Sequence, residues 1–278
     1  MLRRAVLSLF LLCLHLFSVA YAQEPASVRP HTMLIPLYSY PNWWDEDAYT
    51  WRTVIDLKRK HRYSEIIAII NPNNGDFNSS NSDFERGIED LRSVGIRLVG
   101  YVYTSYGDRN ATDIKENIDA WSQFYKPLGI EGIFFDETST DTDKLSYYLD
   151  LTDYSKSKEF SITILNPGIT TDQSYIDANI TDIIITYENA YADLQNTPPS
   201  SYNTPSEKTR LAILIHQIEA GDIDSIHTFA AEKRFEYFYY TDDGEDGNPW
   251  DTISSTTDRE LQLIDPVPYM ISVHSLLF

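Results

Sequence analysis

The chain is poor in the residues that many catalytic chemistries require. It holds a single cysteine, Cys13, inside an apolar leader. Once that leader is removed, disulfides, a thiolate metal site and a cysteine nucleophile are all excluded. Basic residues are scarce as well, 22 Lys and Arg against 42 Asp and Glu for a net charge of −20. A surface of that sign repels phosphate backbones and anionic lipid, which excludes nucleic acid as a partner. There is no G-x-G-x-x-G, no Walker sequence and no H-E-x-x-H. No cofactor and no metal are expected on that account.

Residues 1–22 stand apart from the rest. Arg3 and Arg4 precede an apolar run from Ala5 to Val19, and Ala20-Tyr21-Ala22 offers small residues at the cleavage positions. The run is short of the roughly 20 residues needed to span a bilayer. It reads as a secretory signal peptide, so the protein is expected outside the cell or at its surface. Three sequons agree with that reading, at Asn78, Asn110 and Asn179.

After the leader, eight apolar, β-branched or aromatic runs recur: Met33 to Tyr40, Glu65 to Pro72, Arg97 to Thr104, Gly132 to Glu137, Phe160 to Pro167, Asp182 to Glu188, Arg210 to Gln217 and Glu236 to Asp242. Several are apolar on both faces, as a parallel strand covered on both sides must be. Most gaps carry helical spacing, including Asp83 to Val94 after a Ser82 cap, Asp113 to Phe124 after a Thr112 cap, and Ile223 to Arg234. The gaps before the sixth and seventh runs are weaker. One βαβ step takes about 30 residues, and eight such steps describe an α/β fold, a single (β/α)8 barrel over residues 23–264. A doubly wound open sheet is the rival, although its glycine-rich ligand turn is missing. The tail, 265–278, either packs under the barrel or signals a lipid anchor.

In such a barrel chemistry sits at the C-terminal strand ends. Those ends carry Tyr38 and Tyr40, Asn71 and Asn73, Tyr101 and Thr104, Asp136 and Glu137, Asn166, Tyr187 and Glu188, His216 and Gln217, Tyr240 and Asp242. Carboxylates, amides and phenols are present; lysine and arginine are not. Phosphoryl transfer and Schiff-base chemistry lack their groups. Glycoside hydrolysis finds what it needs, namely two carboxyl groups for the scissile bond with aromatic and amide groups to hold the sugar. Asp136, Glu137 and Glu188 are the candidate catalytic acids. Tyr38, Asn71, Tyr101, Asn166, Tyr187, His216 and Tyr240 are the candidate sugar contacts, and Trp43 and Trp44 in the first loop are candidate platforms. Asp136 and Glu137 are adjacent, so both face the axis only if the strand is already turning. Strand-end acids also serve as helix caps or salt-bridge partners.

The segments LIPLYSYP at 34–41, IIAIINPNNGD at 66–76, VGYVYTSYGDR at 99–109, GIEGIFFDE at 129–137, LNPG at 165–168 and NPWD at 248–251 resemble the spherulin 4-like cell-surface family, also called spherulation-specific family 4. The resemblance implies a (β/α)8 barrel. It also implies, as in characterised fungal relatives, an endo-acting glycoside hydrolase that cuts α-1,4-linked N-acetylgalactosamine in galactosaminogalactan. Its essential acids would fall on Asp136, Glu137 and Glu188. The expected partner is a polysaccharide, including a cationic aminosugar polymer, and the chain is expected to act as a monomer. A non-catalytic wall-binding protein and a structural surface protein are the alternatives.

Overall fold

A computed structural model describes residues 29–203, 208–244 and 247–265. The signal-peptide reading of 1–22 and all of the tail beyond Asp265 lie outside the described residues.

Eight parallel strands close into a barrel in sequence order. They are β1 (Thr32–Leu37), β2 (Glu65–Ile70), β3 (Arg97–Tyr103), β4 (Ile130–Asp136), β5 (Ile162–Leu165), β6 (Ile183–Ala190), β7 (Arg210–His216) and β8 (Phe235–Tyr240). Among the described residues an α-helix follows each strand. They are α1 (Thr50–Lys60), α2 (Ser82–Ser93), α3 (Ala111–Ala120), α4 (Leu145–Ser157), α5 (Gln173–Asp177), α6 (Tyr191–Leu194), α7 (Ile223–Glu232) and α8 (Thr257–Ile264). The expected (β/α)8 barrel is the architecture found. Two caps differ from the sequence reading. Asn81, not Ser82, accepts the Asp83 and Phe84 N–H groups that open α2, and Asn110, not Thr112, caps α3. Asparagine is as good a cap as serine and better than threonine, so composition alone left the choice one or two residues off.

Paired residues of parallel strands point the same way, and the register therefore fixes which side chains fill the barrel. Leu34 pairs with Ile67, Tyr101 with Phe134, Phe134 with Ile164, and Leu214 with Tyr239. All are buried, giving the stacked layers of a packed barrel. Three strands carry one extra residue against their neighbours, at Glu131, Thr186 and Glu236. Two of these bulges close the N-terminal end with charge, since Glu131 meets Arg97 at 2.6 Å while Glu236 meets Arg210 and His31, each at 3.3 Å. The third, in β6, has its consequence at the opposite end.

The α8 helix seals the barrel wall with a buried acid. Glu260 is fully buried, accepts the Thr256 hydroxyl at 2.8 Å and the Tyr240 N–H at 3.2 Å, and burial pushes its carboxyl up to about 8. The folded protein therefore holds this proton more tightly than the unfolded chain does. Its contribution to stability is complete below the ordinary glutamate range and is lost as pH rises through about 8. The melting temperature is expected to fall between pH 5 and pH 8, and Glu260→Gln to flatten that slope. The effect is on the order of a few kcal/mol. An unchanged slope in the variant, followed by calorimetry, would refute the assignment.

Candidate active site

The strand ends are tied together beyond the regular ladder. Thr104 N–H donates to the Asp136 carbonyl at 2.9 Å, Asn166 N–H to Phe135 at 2.9 Å, Thr138 N–H to Asn166 at 3.0 Å, and Glu188 N–H to Gly168 at 2.8 Å. The buried Thr104 hydroxyl donates to the Asp136 and Glu137 carbonyls. The acids thus stand on backbone held by neighbours on each side, which keeps their geometry fixed.

Asp136 ends β4 pointing inward, as its pairing with the Tyr103 side of β3 requires. It accepts the Tyr101 phenol at 2.7 Å and the Asn166 amide at 2.8 Å. Glu188 accepts the same Asn166 nitrogen at 2.6 Å and the Trp250 indole N–H at 2.8 Å. The Asn166 carbonyl oxygen accepts Gly168 N–H at 3.1 Å. That bond fixes the amide's orientation, so its NH2 faces the two acids. Two carboxylate oxygens bound to one nitrogen lie within about 5.5 Å of each other, the spacing that lets two acids act on one bond.

The shared site sets the proton affinities. Burial, and then the charge of Asp136, push Glu188 up to about 7 against the pull of Asn166 and Trp250. Burial also raises Asp136, opposed by donors from Tyr101, the Glu137 backbone and Asn166. Two neighbouring carboxyls cannot both ionise freely, and the one with fewer donors keeps the proton. Glu188 is that group.

Glu137 sits at φ +50°, so the strand does turn there and the parity constraint on the adjacent acids is released. Its charge reaches the mouth, where it adds to the rise of Tyr101. Tyr38 lies edge-on to Tyr101 at 5.5 Å, and burial with the charges of Asp136 and Glu188 drives its phenol well up. Asn71, at the end of β2, has its Oδ1 buried without a hydrogen-bond partner among the described residues. The turn after it is tight: a Cβ on Gly75, at φ +78°, would stand 2.1 Å from the Tyr101 carbonyl oxygen. His216 is buried and edge-on to Trp250 at 5.9 Å.

Two of the expected sugar contacts are elsewhere. Tyr187 is buried, and its hydroxyl donates to the Ala190 carbonyl at 3.1 Å near the start of α6. Tyr240 is fully buried against His227 of α7 and Phe238. Alternation explains both, because their neighbours Glu188 and Tyr239 take the inward positions. The bulge at Thr186 decides the first case. Ile183 and Ile185 face inward, and without the extra residue Tyr187 would follow them and Glu188 would face the helices. Trp250, which had only the NPWD motif to mark it, supplies a donor directly to a candidate acid. Tyr239 takes the inward parity in place of Tyr240 and lies tilted to Trp250 at 6.1 Å, fully buried, with its hydroxyl accepting the Ser254 N–H.

The three sequon asparagines are exposed. Among the described residues no group of three or more His, Cys, Asp or Glu is placed to hold a metal ion, and no helix is long and apolar enough to cross a membrane.

Similarity to known proteins covers the whole barrel. Spherulin-4 of Physarum polycephalum is 31% identical over 249 residues, which span 86% of this chain and 71% of that protein. The crystal structure of Aspergillus clavatus Sph3 in complex with GalNAc superposes with a TM-score of 0.72 at 24% identity, over 85% of this chain and 98% of that one. At that identity the superposition speaks for the fold. The profile of spherulation-specific family 4 matches residues 32–264, from the first strand to the last helix. The chain belongs to spherulation-specific family 4.

Proposed function

We propose that this protein is a secreted glycoside hydrolase that cuts α-1,4-linked N-acetylgalactosamine chains internally, with Asp136 and Glu188 as its working acids. One observation carries the reading: a single amide, Asn166, grips both carboxylates. That spacing fits a retaining pair, in which one acid forms a glycosyl intermediate and the other gives and then takes a proton. Asp136, held by three donors, is the nucleophile. Glu188, at about 7, keeps the proton and gives it to the leaving oxygen. Water then attacks the intermediate while Glu188 accepts its proton. Glu137 holds the geometry or the acetamido group. The choice of sugar is supported by likeness to a structure that holds GalNAc, and secretion by the leader and the three sequons. The test is to incubate purified protein with galactosaminogalactan, chitin and α-glucan and to assay new reducing ends. Release from none of the three would dismiss the hydrolase reading.

The same geometry sets a pH profile. Activity requires ionised Asp136 and protonated Glu188, so turnover falls on the alkaline side as Glu188 loses its proton near 7. Trp250→Phe removes an N–H that favours the carboxylate form. The Glu188 proton is then held to higher pH, and the alkaline limb is expected to move up while the acid limb stays. A limb that stays put, or moves down, would contradict the assignment of Glu188 as acid.

A further inference from the structure

We propose that Tyr40, Trp43 and Trp44 form a distal subsite that stacks a sugar of the same glycan chain, further along it than the unit whose bond is cut. This rests on the glycosidase reading and adds the direction in which the chain runs. A cleft of about 420 Å³ is lined by Tyr38, Tyr40, Asn71, Asn81 and Phe84. Tyr38 lines this cleft and also packs on Tyr101, whose phenol donates to Asp136, so the cleft lies beside the acid pair, one side chain away. Beyond Tyr40 the aromatic wall goes on: Trp44 lies edge-on to Tyr40 at 6.2 Å and to Trp43 at 5.6 Å.

These rings are exposed, Tyr40 by 41%, Trp43 by 38% and Trp44 by 56%. Large aromatics gathered in water on a rigid support mark a binding surface. The support is present. Asp83, in the first turn of α2, accepts the Tyr40 hydroxyl at 2.6 Å and the Trp43 indole N–H at 3.0 Å, and the Arg86 guanidinium lies 4.9 Å from the Trp43 ring. Below, Tyr40 packs edge-on to Phe84 and Phe84 to Trp51, whose indole N–H donates to the Ser39 carbonyl. Trp51 fits because residue 87 is glycine; a Cβ there would meet its ring at 2.5 Å. The wall is ordered before any ligand arrives, which lowers the entropy that stacking must overcome. The cleft floor supplies what a sugar's hydroxyls need. The buried Asn71 Oδ1 lacks a partner among the described residues, and a substrate hydroxyl would satisfy it.

The test uses full-length Asp136→Asn protein, so that nothing is hydrolysed, titrated with α-1,4-linked N-acetylgalactosamine oligosaccharides of three and ten units and followed by tryptophan fluorescence. The decamer is expected to bind at least tenfold more tightly than the trimer. Adding Trp44→Ala should cost about tenfold on the decamer and under threefold on the trimer, and Trp43→Ala should show the same contrast. Melting curves confirm that the variants fold. Equal affinities for the two lengths, or a Trp44→Ala loss under twofold on the decamer, would overturn the subsite even if wild-type protein cuts the polymer. Binding of neither oligosaccharide would overturn the subsite and its proposed sugar together, while the reducing-end assay judges the hydrolase reading separately.

Discussion

Asp136→Asn and Glu188→Gln are each expected to lower turnover by about a thousandfold or more, roughly 4 kcal/mol of barrier, while the barrel stays folded. The two exchanges keep size and shape and remove only the ability to carry charge or a proton. Asp136 takes donors from Tyr101, Asn166 and the Glu137 backbone, and an asparagine in its place satisfies part of that set. A glutamine at 188 has one acceptor oxygen for the two donors, Asn166 and Trp250, that the carboxylate accepts. The group left facing a donor costs about 1 to 3 kcal/mol locally. Relief of repulsion between two half-buried acids offsets some of that, so melting temperatures should stay close to wild type. Reducing-end release measures the turnover. A variant keeping more than about a tenth of wild-type turnover, a loss under 1.4 kcal/mol, would show that its residue is not a catalytic carboxylate, and the role would pass to Glu137.

How much of this was readable beforehand depends on which physical signal each feature leaves. A parallel strand buried on both faces must be apolar throughout, and IIAII or LAILI announces it. The eight strands were legible for that reason, and their polar ends marked the mouth. Parity was harder. A bulge has no sequence signature of its own, so nothing in Ile183 to Glu188 shows that Thr186 is passed over in the register and that Glu188, not Tyr187, turns inward. The run of aromatics in β8 hides its own alternation, since Tyr239 and Tyr240 are alike and only pairing with Leu214 separates them. Trp250 comes from the loop after the last strand and reaches Glu188 across 62 positions of sequence. Contacts of that range follow from closure of the barrel, and local pattern does not contain them.

The second large effect is expected at a residue with no proton to give. Asn166 is buried, and its NH2 group donates to Asp136 and Glu188 while its carbonyl oxygen is occupied by Gly168 N–H. Asn166→Ala removes both bonds, of which the one to ionised Asp136 is charge-assisted and worth about 1.5 to 3 kcal/mol, and lets the two acids drift apart. Turnover should fall by about a hundredfold or more. Asn166→Asp should be worse, because a third carboxyl replaces the donor that two acids share. The pH profile separates this role from simple damage to the fold. The amide favours the ionised form of both acids, so its loss raises both proton affinities. In Asn166→Ala the acid limb, set by Asp136, and the alkaline limb, set by Glu188, should both move to higher pH. Trp250→Phe, which removes a donor from Glu188 and none from Asp136, should move the alkaline limb alone. An Asn166→Ala enzyme with an unshifted profile and more than a tenth of wild-type turnover would mean that the pair is held by something other than this amide.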